Sequence, residues 1–152
     1  MITMADAAVR QSVIDRLSRL QPETRALWGS MTASQVVCHL NDSFLVCLGE
    51  KSVTPATGLF QRTFMKWFAL NVPLQWPKGV KTRPEVEQGA GGTCPTDFSR
   101  DRRDLVHTMT RFCSPDPALG SHPHPIFGPM STAEWMRWAY LHTDHHLRQF
   151  GL

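Results

Sequence analysis

Residues 131–151 read STAEWMRWAYLHTDHHLRQFG, and this stretch decides the fold. Ser131 followed three residues later by Glu134 is a capping box, the local signature of a helix start. No breaker follows until Gly151, a glycine placed where a helix stops. On a wheel of about 100° per residue, Trp135, Trp138, His142, His146 and Gln149 share one stripe about 80° wide. His145 lies about 60° to one side of His142, and Asp144 and Arg148 point away. Two indoles start this face, and two imidazoles and an amide finish it. Indoles alone would mark a core; the imidazoles put titratable groups inside a helical bundle or at its mouth.

A buried imidazole must find partners, at a cost of roughly 1–3 kcal/mol for each unmet group. His142 and His146, one turn apart, cannot easily satisfy each other. Either they hydrogen-bond to backbone or carboxylates, or they share a metal ion. Helix two bears on that choice. Thr32 and Gln35 form a second capping box, Val36, Val37, Leu40, Phe44, Leu45 and Leu48 supply an apolar side, and Gly49 ends the segment. His39 is the only histidine in it. It is a satisfied core residue or a third ligand. Three neutral imidazoles with one open position make a catalytic-type site for a divalent metal, and ligand type does not choose among zinc, nickel, iron and manganese.

Outward from these two segments the pattern stays helical. Val9, Val13, Leu17 and Leu20 repeat at helical spacing over Met4 to Leu20, and Gln21-Pro22 ends the run. Leu59 to Leu70 is a short amphipathic helix. It packs on the bundle, lies in a membrane interface, or presents Phe60 to Phe68 as a homodimer face. Val72 to Phe98 is rich in Pro and Gly and has no period, which predicts a long crossover closing over the site. Ser99 to Phe112 is helical again and is stopped by Ser114-Pro115-Asp116-Pro117. A loop carrying His122 and His124 leads to Gly128. No strand alternation of useful length occurs. The expectation is an all-α single domain over residues 1–152, a four-helix bundle with a long crossover connection and a short extra helix.

The composition, 41% hydrophobic and 19% charged with a net charge of +3, is that of a globular protein. Arg100, Arg102 and Arg103 are interleaved with Asp97, Asp101 and Asp104, so no basic stripe points to nucleic acid. No apolar run follows a basic N-terminus, and none reaches the ~20 residues of a membrane span. A cytoplasmic location without nucleic-acid or membrane partners is therefore expected. Cys38, Cys47, Cys94 and Cys113 show no C-x-x-C spacing and read as free thiols.

The combination of Trp28-Gly29-x-Met31-Thr32 leading to His39-Leu40 with His142-x-x-x-His146-x-x-Gln149 resembles the DinB/YfiT-like superfamily. The stretch from His122 through His124 and Phe127-Gly128, then Glu134-Trp135 and the His142 to Gly151 run, resembles one bacterial branch of it. The resemblance implies a four-helix bundle with a long crossover and a metal-binding histidine triad, carried here onto His39, His142 and His146. His145 is the substitute at i+3. It also implies a thiol-dependent transferase or isomerase using a low-molecular-weight thiol, or a hydrolase, acting on a small-molecule substrate. The contrasting reading is a non-catalytic metal- or ligand-binding bundle. Around the triad, Asp42 is a candidate partner for a ligand N–H. Gln149 orients a ligand or caps the bundle end, and His124 reaches the site mouth or packs its loop. Trp28, Trp135, Trp138 and the crossover are the expected pocket lining.

Overall fold

The computed structural model describes residues 1–55, 58–79, 83–114 and 122–152. Its helices are α1 (Ala7–Ser18), α2 (Ala33–Cys47), α3 (Lys66–Asn71), α4 (Phe98–Phe112) and α5 (Thr132–Gln149). Both capping boxes form. Gln35 N–H donates to Thr32 Oγ1 at 3.2 Å, and Thr32 N–H donates to Gln35 Oε1 at 2.9 Å. At α5, Glu134 N–H donates to Ser131 Oγ at 3.3 Å, and Ser131 N–H to Glu134 Oε2 at 2.8 Å. Asp97 opens α4 by accepting from Arg100 N–H at 2.7 Å. Gly49 and Gly151 hold φ of +74° and +75° just past the ends of α2 and α5, a conformation that costs glycine little.

The four long helices form an all-α bundle. α4 lies along α2, while α5 touches α1, α2 and α3. Val13 and Leu17, Val36, Leu40 and Phe44, Leu105 and Phe112, and Trp135 and Leu147 fill the space between them. Phe44 meets Phe112 edge-on at 5.2 Å. Each such side chain contributes roughly 1.5–3 kcal/mol when fully buried.

Three expectations are corrected in detail. The first helix begins at Ala7 instead of Met4, because Asp6 caps it by accepting from Ala8 and Val9 N–H. Met4 instead donates its N–H to Met136 O at 3.0 Å, pinning the entering chain to α5. The short extra helix is not regular: a π-helical turn, Gln61–Met65, runs into α3. The aperiodic crossover contains a 3-10 turn, Pro84–Val86, whose Val86 is buried. The Pro115 to Pro117 stop lies outside the described residues. Among those described, no helix is long and apolar enough to cross a membrane.

The crossover is tied to α2 by one buried carboxylate. Asp42, fully enclosed, accepts from Thr93 N–H at 2.8 Å and Thr93 Oγ1 at 2.6 Å, and pairs with Lys51 Nζ at 2.7 Å. Replacing it strands two donors and a cation. Asp42→Ala is expected to cost about 3 kcal/mol, the lower end for breaking a buried ionic cluster, since Lys51 can turn to water. Urea unfolding at neutral pH checks this.

Candidate metal centre

α2 places His39, and α5 places His142 and His146, so that one ring nitrogen from each lies within 4.8 Å of the other two. The ring centroids are 5.4 Å (His39 to His142), 4.8 Å (His39 to His146) and 4.9 Å (His142 to His146) apart. The rings meet at 69° to 81°, edge towards face. The i to i+4 spacing on α5 stacks two of them, and the packing of α2 across from α5 delivers the third.

The outer contacts of these rings fix their protons. His39 Nδ1 lies 3.1 Å from Val86 O. A carbonyl only accepts, so Nδ1 carries the hydrogen and Nε2 keeps its lone pair. His146 Nδ1 lies 2.9 Å from Gln149 Oε1. The amide's orientation is set at its other end, where Gln149 Nε2 donates to Trp28 O at 2.8 Å. His146 therefore also donates from Nδ1 and keeps its Nε2 lone pair free. His142 Nδ1 is sealed from water with no partner among the described residues.

All three imidazoles are held below their ordinary pKa, burial being the largest cause for each. Their mutual proximity lowers His142 and His146 further, and His146 falls to about 3. Neutral imidazoles in contact, one with an orphaned nitrogen and two with free lone pairs, are a donor set that suits a divalent cation.

The open side of the triad faces a cavity of about 560 Å³, a size suited to a small molecule. Trp28, Phe64, Phe68, Trp76 and Trp138 supply apolar wall, and Arg83 a cation whose Nε is sealed with no partner among the described residues. Trp138 stacks on His142 at 4.9 Å and 24°. Trp76, whose Nε1 donates to Ala69 O at 2.9 Å, leans over both His142 and His145.

His145 lines the cavity but stands outside the triad, its ring edge towards Trp28 at 6.0 Å. Asp42 bonds no ligand; its oxygens are taken by Thr93 and Lys51. Trp135 is not lining but core: it points at Phe112 and His124 and its indole N–H is sealed. His124 packs its loop and also lines the cavity. The Val86 and Trp28 carbonyls were invisible to sequence reasoning, because a backbone acceptor carries no residue signature. Trp76 left a weak signal, a lone indole in a Pro-rich crossover.

The family model described as "Protein of unknown function (DUF1569)" matches residues 2–151. The chain belongs to the DUF1569 family. Comparison with curated proteins and with solved structures finds no match. In this DUF1569 chain the Trp28-Gly29 pair has a structural reason. Gly29 has φ of +78°, and a Cβ there would sit 2.7 Å from Gln149 Nε2. Gly29→Ala is expected to cost about 1–3 kcal/mol in backbone strain. By pushing the amide off His146 it should weaken metal affinity about 10- to 100-fold, as loss of an orienting partner does. Competition titration against a chromophoric chelator measures the second effect separately from the first.

Proposed function

We propose that this protein is a metal-dependent enzyme that holds one divalent ion, zinc or nickel before iron or manganese, at His39, His142 and His146. It acts on a small, partly apolar molecule in the adjoining cavity, as a thiol-dependent transferase or as a hydrolase. The observation that carries this reading is the convergence of three neutral imidazoles whose remaining side opens onto an aromatic cavity. A closed structural site would place a fourth protein ligand there; the described residues bring only three together. The resemblance to the DinB/YfiT-like superfamily supports the same triad.

A divalent ion at such a site supplies Lewis acidity and lowers the pKa of a water or thiol that approaches it. The chain's own residues do the rest. Val86 O and Gln149 Oε1 fix two imidazoles in the tautomer that presents Nε2. Trp28, Trp76 and Trp138 exclude water from one flank of the triad and offer flat apolar faces to a substrate. Cys38 and Cys47 are unsuited to attack: burial and the neighbouring Asp101 push Cys38 up to about 12, and burial raises Cys47 well above its usual value. Cys94 and Cys113 do not line the cavity, so a sulfur nucleophile there would arrive as a low-molecular-weight thiol. Asp144 is occupied by Arg16 and Arg148, and Glu134 by Lys66 and the Ser131 N–H, so α5 offers no free carboxylate as a base.

Protein prepared without a histidine tag and saturated with metal is expected to retain about one ion per chain on elemental analysis. A screen of electrophiles with small thiols, and of ester and amide substrates without them, then separates transferase from hydrolase. Less than stoichiometric metal after saturation would overturn the proposal.

A further inference from the structure

One wall of the cavity is formed by a histidine that the triad does not use. His124 begins a loop closed on itself: His124 N–H donates to Gly128 O at 2.8 Å, and Gly128 N–H returns to His124 O at 2.9 Å. Within that loop the ring nitrogen Nδ1 accepts two hydrogen bonds, from Ile126 N–H and Phe127 N–H, each 3.1 Å. Both partners can only donate. Nδ1 must then carry the lone pair, and the proton of the neutral ring sits on Nε2. The ring cannot turn over without stranding two backbone donors. It is also clamped by stacking on Phe127 at 4.7 Å and by Trp135 and Trp138 at 5.4 and 5.2 Å.

The Nε2–H is left over. No group among the described residues meets it, yet it is not one of the unpartnered polar atoms sealed from solvent, and the ring lines the cavity. His124 is only 6% exposed, so this donor opens to the cavity instead of to bulk water. Burial lowers the ring's pKa to about 3. It is therefore uncharged at neutral pH, and with Nδ1 occupied it has no lone pair for a base. What remains is a fixed, neutral hydrogen-bond donor. Trp138 stands between it and the triad, 5.2 Å from His124 and 4.9 Å from His142.

We propose that His124 is a substrate-binding residue whose Nε2–H holds the carbonyl-type oxygen of a substrate, with the substrate's apolar body on the face of Trp138 and its reacting end towards the triad. The cavity's preferred ligand is then an aromatic or otherwise flat apolar molecule bearing a C=O group. An uncharged donor is matched to a neutral carbonyl, where an imidazolium would favour an anion. The inference rests on the reading of this cavity as the substrate site, and it needs no bound metal.

The test uses metal-free protein labelled with ¹⁵N at histidine, so that its outcome is independent of the triad. The expected spectrum shows His124 protonated on Nε2 alone, with that resonance shifted on addition of acetophenone. The affinity ratio of acetophenone to ethylbenzene, a pair matched in shape, is then compared with His124→Asn. The asparagine oxygen can keep the Nδ1 contacts of the loop while the Nε2–H is lost. The ratio is expected to fall about 5- to 10-fold, the worth of one hydrogen bond of ~1 kcal/mol or slightly more. A proton on Nδ1, an Nε2 resonance unmoved at the solubility limit of acetophenone, or a ratio unchanged in the variant would each overturn it. Loss of the metal reading with this ratio intact would remove the proposed enzyme and leave the carbonyl site standing.

Discussion

Taking metal-free protein from pH 6.5 to 4.5 is expected to remove about 5 kcal/mol of stability through two imidazoles alone. His124 and His146 are each held at about 3 in the fold, against ~6.5 in the unfolded chain. Below the unfolded value the unfolded chain binds the extra protons, so acid favours unfolding. The loss is about 1.4 kcal/mol per group per pH unit, and continues until pH approaches the folded value. Stability is thus complete above about pH 6.5 and drains between 6.5 and 3. His39 and His142 are shifted in the same direction and add to the effect. Against a total of roughly 5–15 kcal/mol for an ordinary domain, this is enough to bring acid unfolding into the mild range. Urea midpoints measured in chelator at pH 7, 6, 5 and 4.5 give the slope directly. His124→Asn removes one titrating ring and should flatten it by about 1.4 kcal/mol per pH unit. A stability that stays level to pH 4.5 would mean that these rings titrate as solvated groups, and the buried cluster described above would be wrong.

What made the site legible was the coincidence of two local codes. Thr32 with Gln35, and Ser131 with Glu134, fixed where α2 and α5 begin, and that set the phase of each helical wheel. With the phase known, His142 and His146 fell on one stripe and His145 off it, as the structure has it. The same wheel could not tell Trp135 from Trp138. Both lie on the inner stripe, and which one meets a cavity depends on how deep the bundle closes at each turn. Asp42 was misread for a related reason. Its place flanking His39 on the wheel suggested a partner for a ligand N–H, but its oxygens meet Thr93, fifty-one residues on. The crossover was the blind part. Its contribution is a carbonyl from Val86 and a threonine clamp, features of backbone path rather than of side-chain period. The wheel puts Gln149 on the face of His142 and His146, but it does not show the Trp28 carbonyl that aims its amide.

Replacing His142 by phenylalanine should separate the metal site from the fold more sharply than any alanine scan. His142 Nδ1 is sealed with no partner among the described residues, and the ring stacks on Trp138. Phenylalanine keeps the stacking shape and removes both the orphaned nitrogen and one member of a crowded imidazole cluster. Taking away an unmet buried polar group relieves a penalty of roughly 1–3 kcal/mol, against a small cost for the altered ring size. The metal-free His142→Phe protein is therefore expected to be as stable as the parent or about 1 kcal/mol more so at pH 7. Its response to metal should be the opposite. If four ligands share the roughly 10–16 kcal/mol of a zinc-finger-type site, each is worth about 2.5–4 kcal/mol, so losing one of three should weaken binding by roughly 10² to 10³-fold. Metal at one hundred times the parent dissociation constant should stabilise the parent by about 2.7 kcal/mol and the variant hardly at all. Thermal melts with and without metal read both halves in one experiment. Stoichiometric, equally tight metal in His142→Phe would remove this triad from consideration, whereas a variant that is destabilised but still loses metal would show the histidine to be a packing residue as well as a ligand. The pairing of higher intrinsic stability with lost binding is the signature of a residue kept for chemistry at the expense of the fold.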